Sequence, residues 1–237
     1  SEHFSIWYAL KNNKDSIEKL FLTASGGPFN NLPIKKFKKI SVKDALNHPN
    51  WKMGKKISID SATMMNKVFE VIEAKNIFNL EYKKIKIIIH PQSFIHAIIQ
   101  FSDGMLKIIA HETTMDIPIF NTIYNNQTKK YKFKDLNFEK LNNASFLKVK
   151  TQKFPYVKIL NKLPKTSSLY ETVLVTANDE FVKLFLDKKI KYSDIINKTL
   201  KIINKKEFTK FKKILPRNIS DVITTSEIVK SKIKTNY

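Results

Sequence analysis

Ser58-Ile59-Asp60-Ser61-Ala62-Thr63-Met64-Met65-Asn66-Lys67-Val68-Phe69-Glu70 spaces a hydroxyl, an amide, an ammonium and a carboxylate so that they can converge. A helix from Thr63 onward would set Asn66 and Glu70 one turn apart, with Lys67 three positions before Glu70. Ser61 would stand where that helix begins. Its hydroxyl and the amides of the first turn suit an anion such as a phosphate, with Lys67 as counter-charge. Glu70, one turn deeper, is placed for a hard metal ion. The alternative is a Ser-capped amphipathic helix whose polar face is simply solvated.

Upstream, Phe4, Ile6, Trp7 and Leu10 suggest a helix, followed by the polar patch Lys11-Asn12-Asn13-Lys14 and the approach to a strand. Phe21-Leu22-Thr23-Ala24 reads as a short buried strand that stops at Ser25-Gly26-Gly27-Pro28-Phe29, where two glycines let the backbone approach a ligand. Residues 35–47 are helical in pattern, opened by Ser41. They lead into His48-Pro49-Asn50-Trp51-Lys52-Met53-Gly54. Trp51 and Met53 in such a loop imply either a flap that covers a ligand or simple packing into the core.

Downstream, 84–89 is a β-branched strand broken by His90-Pro91, and 94–101 and 105–110 form a hairpin around Ser102-Asp103-Gly104. His90, His96 and His111 lie in or beside these strands and are read as satisfied structural residues. From 125 to 153 the pattern decays into a lysine- and asparagine-rich linker. Beyond it, 155–162, 168–186, 192–203 and 220–232 carry helical periodicity. The expected fold class is α+β. A mixed sheet with flanking helices (residues 1–124) is followed by the linker (125–153) and a C-terminal helical bundle (154–237).

The chain of 237 residues has 42% hydrophobic content, enough for a sizeable core. No apolar run reaches the ~20 residues of a membrane span and no signal peptide is evident, so a cytoplasmic location is expected. There is no cysteine, which removes disulfides and thiolate metal sites and leaves carboxylate, imidazole or water for any metal. The net charge of +22 favours acidic partners in general. However, Arg217 is the single arginine among 43 basic residues, and lysines are spread over the whole chain, so specific nucleic-acid recognition is not the expectation.

Ser1-Glu2-His3, Leu22-Thr23-Ala24-Ser25-Gly26-Gly27-Pro28-Phe29, His48 to Gly54 and Ile59 to Lys67, in this order and spacing, resemble the 1-deoxy-D-xylulose-5-phosphate reductoisomerase family. The likeness continues through Ile89-His90-Pro91-Gln92-Ser93 and, weakly, Ala177-Asn178-Asp179-Glu180, and so covers essentially the whole chain. It implies an enzyme that rearranges and reduces 1-deoxy-D-xylulose 5-phosphate to 2-C-methyl-D-erythritol 4-phosphate in isoprenoid precursor synthesis, using NADPH and Mg²⁺ or Mn²⁺. Glu2 and Glu70 would be metal ligands and carry the catalysis, joined by an aspartate that the family places just before Ser1. Ser1 and Glu2 would meet the sugar oxygens near the metal. Ser25, His48, Ser61, Asn66 and Lys67 would hold the phosphate end. Trp51 and Met53 would form the flap, and Gly54 would approach the nicotinamide.

The resemblance also implies a homodimer and an N-terminal NADPH-binding domain. Gly26, Gly27, Gly54 and Gly104 are the four glycines of the chain and cannot compose a dinucleotide phosphate loop. Because the sequence opens on Ser1 without methionine, it is expected to be a processed or truncated piece. Two departures stand out: Val68 replaces a small residue, and residues 110–116 replace a Gly-x-Pro-Asp-Met run that contacts substrate in the family. They support a competing expectation, a non-catalytic remnant serving as a basic binding module.

Overall fold

A computed structural model describes residues 1–11, 16–125, 129–132 and 135–236. In chain order it forms α1 (Glu2–Leu10), β1 (Ile17–Ala24), a 3₁₀ segment (Ile34–Lys39), α2 (Val42–Leu46), α3 (Lys55–Thr63) and α4 (Met65–Ile77). There follow a short 3₁₀ turn (Tyr82–Lys84) that leads into β2 (Ile85–Ile89), then β3 (Ile95–Phe101), β4 (Leu106–Ala110), α5 (Asp116–Ile123), α6 (Phe138–Asn142) and β5 (Leu147–Lys148). The chain ends with a 3₁₀ segment (Pro155–Lys162), α7 (Leu169–Leu186), α8 (Tyr192–Ile203), α9 (Lys206–Thr209), a 3₁₀ turn (Lys210–Lys213) and α10 (Ile219–Asn236). Most of the polar patch after Lys11, residues 12–14, lies outside the described residues.

The chain divides into two compact units, Ser1–Gly26 with Glu70–Val149, and Gly27–Phe69 with Lys150–Tyr237. This division follows spatial contact and is discontinuous, whereas the reading from sequence was consecutive.

The first unit holds a five-stranded mixed sheet of order β4-β3-β1-β2-β5. β1 is parallel to β2, with Leu22 opposite Ile87, and antiparallel to β3, with Leu22 opposite Ala97. A parallel pair needs a crossover, and residues 25–84 supply it. Leu20 and Leu22 of β1 and Ala97 and Ile99 of β3 are fully buried, so the central strands carry the core. β1 begins four residues earlier than the Phe21–Ala24 run suggested, because Ile17 and Leu20 also face inward. The expected β3–β4 hairpin forms, with Ile98 opposite Ile108 and Gly104 at φ 89° in the turn. The segment expected to be a linker contributes α6 and the edge strand β5, which pairs Ile89 with Leu147.

His90 organises the end of β2. Its Nδ1–H donates to the Ser145 carbonyl at 3.0 Å, and its Nε2 accepts from the Phe94 N–H at 3.1 Å. The ring stacks on Phe146 at 5.0 Å and is completely buried. Both nitrogens are therefore committed to a neutral tautomer, and the structural role expected for this histidine is the one observed.

The second unit is helical. Ser41 caps α2 in a capping box with Asp44, as expected, but the preceding 34–39 stretch is a separate 3₁₀ turn rather than part of one helix. Residues 155–162 are likewise 3₁₀ rather than α-helical. Ser168 caps α7 through a second capping box with Glu171, and α7, α8 and α10 form the bundle anticipated from periodicity. Three buried tyrosines tie this unit together. Tyr156 Oη donates to the Ile195 carbonyl at 3.1 Å, Tyr170 Oη to Ile203 at 3.1 Å and Tyr192 Oη to Ala62 at 2.7 Å. Burial pushes the Tyr170 phenol up to about 12, so it stays a donor throughout the working pH range.

Burial holds His90 below its ordinary 6.5. A base whose folded pKa is depressed binds fewer protons when folded than when unfolded, so its contribution is full above 6.5 and is lost as pH falls below it. Urea unfolding should show stability falling between pH 7.5 and 5.5, with a shallower slope in His90→Gln by up to about 1.4 kcal/mol per pH unit. Identical slopes would contradict the neutral, double-bonded role.

Candidate functional site

The turn between α3 and α4 differs from the expectation of one helix starting at Ser61. Met64 has φ 64°, a left-handed residue that closes α3, and α4 begins afresh at Met65. Ser61 therefore lies in the last turn of α3, not at a helix start, while Asn66 and Lys67 occupy the first turn of α4. No proline or glycine marks the break. Locally it is held by Thr63, whose Oγ1 donates to the Asp60 carbonyl at 3.2 Å and accepts from Met65 N–H at 3.4 Å.

Within the second unit, Gly27, at φ 64°, runs against the end of α3. A Cβ there would stand 2.9 Å from the Ser61 carbonyl oxygen and 3.2 Å from Ala62 Cα. Glycine is thus required by both backbone conformation and space. Val68, the departure noted in the sequence, is fully buried.

His48 stands at the base of the loop bearing Trp51 and Met53. Its Nδ1 accepts from the backbone N–H groups of Asn50 at 3.2 Å and Trp51 at 3.0 Å, which assigns the proton to Nε2 and leaves that nitrogen a donor. Burial and the nearby Lys67 ammonium hold this imidazole below its ordinary range. Two residues that sequence reasoning assigned to one anion thus lie close enough to feel each other's charge. Lys67 is itself only 8% exposed, which removes the reading of a freely solvated helix face. Trp51 and Met53 are half-buried, neither core residues nor fully exposed. Gly54 caps α3 with φ −60°, and a Cβ there would meet nothing within 4 Å, so the fold does not itself demand glycine.

The first unit holds Ser1, Glu2, Ser25 and Glu70. Ser1 Oγ donates to Glu2 Oε2 at 2.7 Å. His3 Nε2 donates to the Glu70 carbonyl oxygen at 3.2 Å and lies 3.5 Å from Glu73 Oε2, with its ring stacked on Phe78. The residue beside one proposed carboxylate ligand therefore touches the backbone of the other. Glu70 is 8% exposed. Among the described residues, no cluster of three or more His, Cys, Asp or Glu side chains suited to a metal ion is present. Two carboxylates fit Mg²⁺, which often takes one or two protein carboxylates and fills its shell with water and substrate oxygens.

Sequence reasoning set aside His96 and His111, which the structure brings together. Their rings stack with centroids 3.7 Å apart, and His96 Nε2 donates to the His111 carbonyl at 3.2 Å. Burial, reinforced by His111 and opposed by the charge of Glu2, lowers His96 to about 3, so it stays neutral beside that carboxylate. The pairing of Ile95 with Ala110 across the hairpin places both rings on one side, a register signal available only once the strands are paired.

Comparison with known proteins agrees with this architecture. Residues 1–78 match the 1-deoxy-D-xylulose 5-phosphate reductoisomerase C-terminal domain, and residues 111–232 match the DXP reductoisomerase C-terminal domain. The chain is 57% identical to the 1-deoxy-D-xylulose 5-phosphate reductoisomerase of Pelagibacter ubique, over 98% of this chain and 60% of that protein. It is 36% identical to that of Aquifex aeolicus, over 100% of this chain and 61% of the relative. A crystal structure of DOX-P reductoisomerase in complex with NADPH, fosmidomycin and magnesium superimposes with a TM-score of 0.90 at 31% identity, covering 99% of this chain and 61% of that one. The Zymomonas mobilis enzyme in complex with NADPH gives 0.84 at 31% identity, covering 97% and 58%. The chain belongs to the 1-deoxy-D-xylulose 5-phosphate reductoisomerase family, and it spans about 60% of the length of the relatives it matches.

The two glycines separate by mechanism. Gly27→Ala should destabilise the protein by about 1–3 kcal/mol, whereas Gly54→Ala should shift stability by less than about 0.5 kcal/mol. Chemical denaturation of both variants checks this, and a neutral Gly27→Ala would contradict the close approach to Ser61.

Proposed function

We propose that this chain supplies the metal- and substrate-binding domain and the C-terminal helical domain of a 1-deoxy-D-xylulose 5-phosphate reductoisomerase. Such an enzyme converts 1-deoxy-D-xylulose 5-phosphate to 2-C-methyl-D-erythritol 4-phosphate with NADPH, serving isoprenoid precursor synthesis in the cytoplasm. The observation that carries this reading is the buried Lys67 beside a neutral, Nε2-protonated His48, in a chain of this family. A buried ammonium close to a donor imidazole suits an anion.

In this reading His48, Ser61, Asn66 and Lys67, with Ser25, bind the substrate phosphate and spend its binding energy on orienting the carbon skeleton. Glu2 and Glu70, completed by the aspartate expected before Ser1, hold Mg²⁺ or Mn²⁺. Ser1 orients the Glu2 carboxylate through its 2.7 Å bond. When bound, the divalent ion polarises the substrate carbonyl as a Lewis acid and NADPH supplies the hydride. His3 fixes α1 to the Glu70 backbone and so limits the freedom of both carboxylates. Trp51 and Met53 close over the substrate and exclude water before reduction. Gly54 leaves room for the nicotinamide. The NADPH-binding domain belongs to the rest of the full-length protein. A homodimer would form along the β4 edge, where Leu106 and Ile108 are 55% and 53% exposed.

Calorimetric titration of the full-length protein with a phosphonate hydroxamate in the presence of Mg²⁺ tests the assignment. Glu70→Ala should weaken binding by at least about a hundredfold. Equal affinity in wild type and variant would exclude the proposed metal site.

A further inference from the structure

The last turn of α3 is gripped by α7 through a buried carboxylate that no part of the mechanism uses. Asp60 is 1% exposed and Asn178 is fully buried. Asn178 Nδ2 donates to Asp60 Oδ1 at 2.7 Å, and Lys56 Nζ donates to Asp60 Oδ2 at 2.7 Å. Lys56 also reaches Asp179 Oδ1 at 2.9 Å and lies over the Phe69 ring at 4.8 Å. The opposite amide orientation would set two oxygens face to face, so the carboxylate fixes which way Asn178 points. Its Oδ1 has no hydrogen-bond partner among the described residues. Leaving a buried acceptor unsatisfied is costly, so this pairing is bought against stability.

What the pair holds is the segment that carries the anion donors. Ser61 follows Asp60 directly. The Asp60 carbonyl accepts from Thr63 Oγ1, which in turn accepts from the N–H of Met65, the residue before Asn66 and Lys67. Tyr192 Oη holds the Ala62 carbonyl from α8. Apolar packing alone would let α3 slide or rotate by fractions of a turn, whereas paired hydrogen bonds to one carboxylate set a unique position.

We infer that Asp60 and Asn178 are positioning residues for the phosphate end of the substrate, setting Ser61, Asn66 and Lys67 through the Asp60–Thr63–Met65 bond chain. The inference rests on the function proposed above and adds residues that contact neither metal nor substrate. The sequence signal was the Ala177-Asn178-Asp179-Glu180 stretch, which has no chemistry of its own until α7 is laid against α3.

Steady-state kinetics of the full-length protein test this, using Asn178→Ser and the exchanged pair Asp60→Asn/Asn178→Asp. Asn178→Ser should raise KM for 1-deoxy-D-xylulose 5-phosphate about tenfold. Its KM for NADPH should stay within about twofold of wild type, because the positioning acts at the sugar-phosphate end, and any fall in kcat should be smaller than the rise in KM. The exchanged pair keeps one donor facing one acceptor and should recover most of that loss. The inference is overturned if Asn178→Ser folds with an unchanged KM, if all constants move together with a lowered Tm, or if the exchange recovers nothing. Should Asn178→Ser fail to fold, the exchanged pair decides: a KM near wild type upholds the inference, and a raised KM or failure to fold overturns it, assigning the pair to stability alone. A wild-type enzyme that does not turn over the sugar phosphate would instead overturn the functional reading itself.

Discussion

The left-handed residue at Met64 is the constraint on which the second unit depends. A non-glycine residue with positive φ is unfavourable and persists only where its surroundings over-determine it. Here they do: the Tyr192 hydroxyl fixes the Ala62 carbonyl, Gly27 packs against Ser61, and Asn178 and Lys56 grip Asp60. The outcome is two short helices in place of one long one. Ser61 lies in the last turn of the first, and Asn66 and Lys67 begin the second, so the donors of the proposed site come from two elements rather than from a single helix face.

Electrostatics follow from that arrangement. The excess of lysine along the chain is mostly solvated charge, which costs little and contributes little. Lys67 differs because it is buried, and the neutral state of His48 is partly its consequence. In the first unit, burial keeps His90 and His96 neutral, and each has a backbone partner that fixes its tautomer. Histidines that look like candidate ligands in a cysteine-free sequence thus divide into a donor beside an ammonium, a latch at a strand end and a stacked pair near Glu2.

The legible parts of the sequence were those governed by local rules. Ser41 announced its helix, Ser102-Asp103-Gly104 announced its hairpin, and the periodicity of 168–186 and 192–203 gave helices with nearly those bounds. The break at Met64 was not legible, since it has neither glycine nor proline and is imposed by bonds from residues as distant as Tyr192. The 3₁₀ segments at 34–39 and 155–162 share helical spacing with an α-helix and differ only in hydrogen bonding. Of the site, the residue types and their order were readable. The pairings of Asp60 with Asn178 and of His96 with His111 require the tertiary fold to be seen.

The most direct measurement is a crystal structure of the full-length protein with Mg²⁺ and a phosphonate hydroxamate. The account predicts phosphonate oxygens within hydrogen-bonding distance of Ser61, Asn66 and Lys67, and a metal ion ligated by both Glu2 and Glu70. A phosphonate held elsewhere, or a metal ion that Glu70 does not touch, would contradict it.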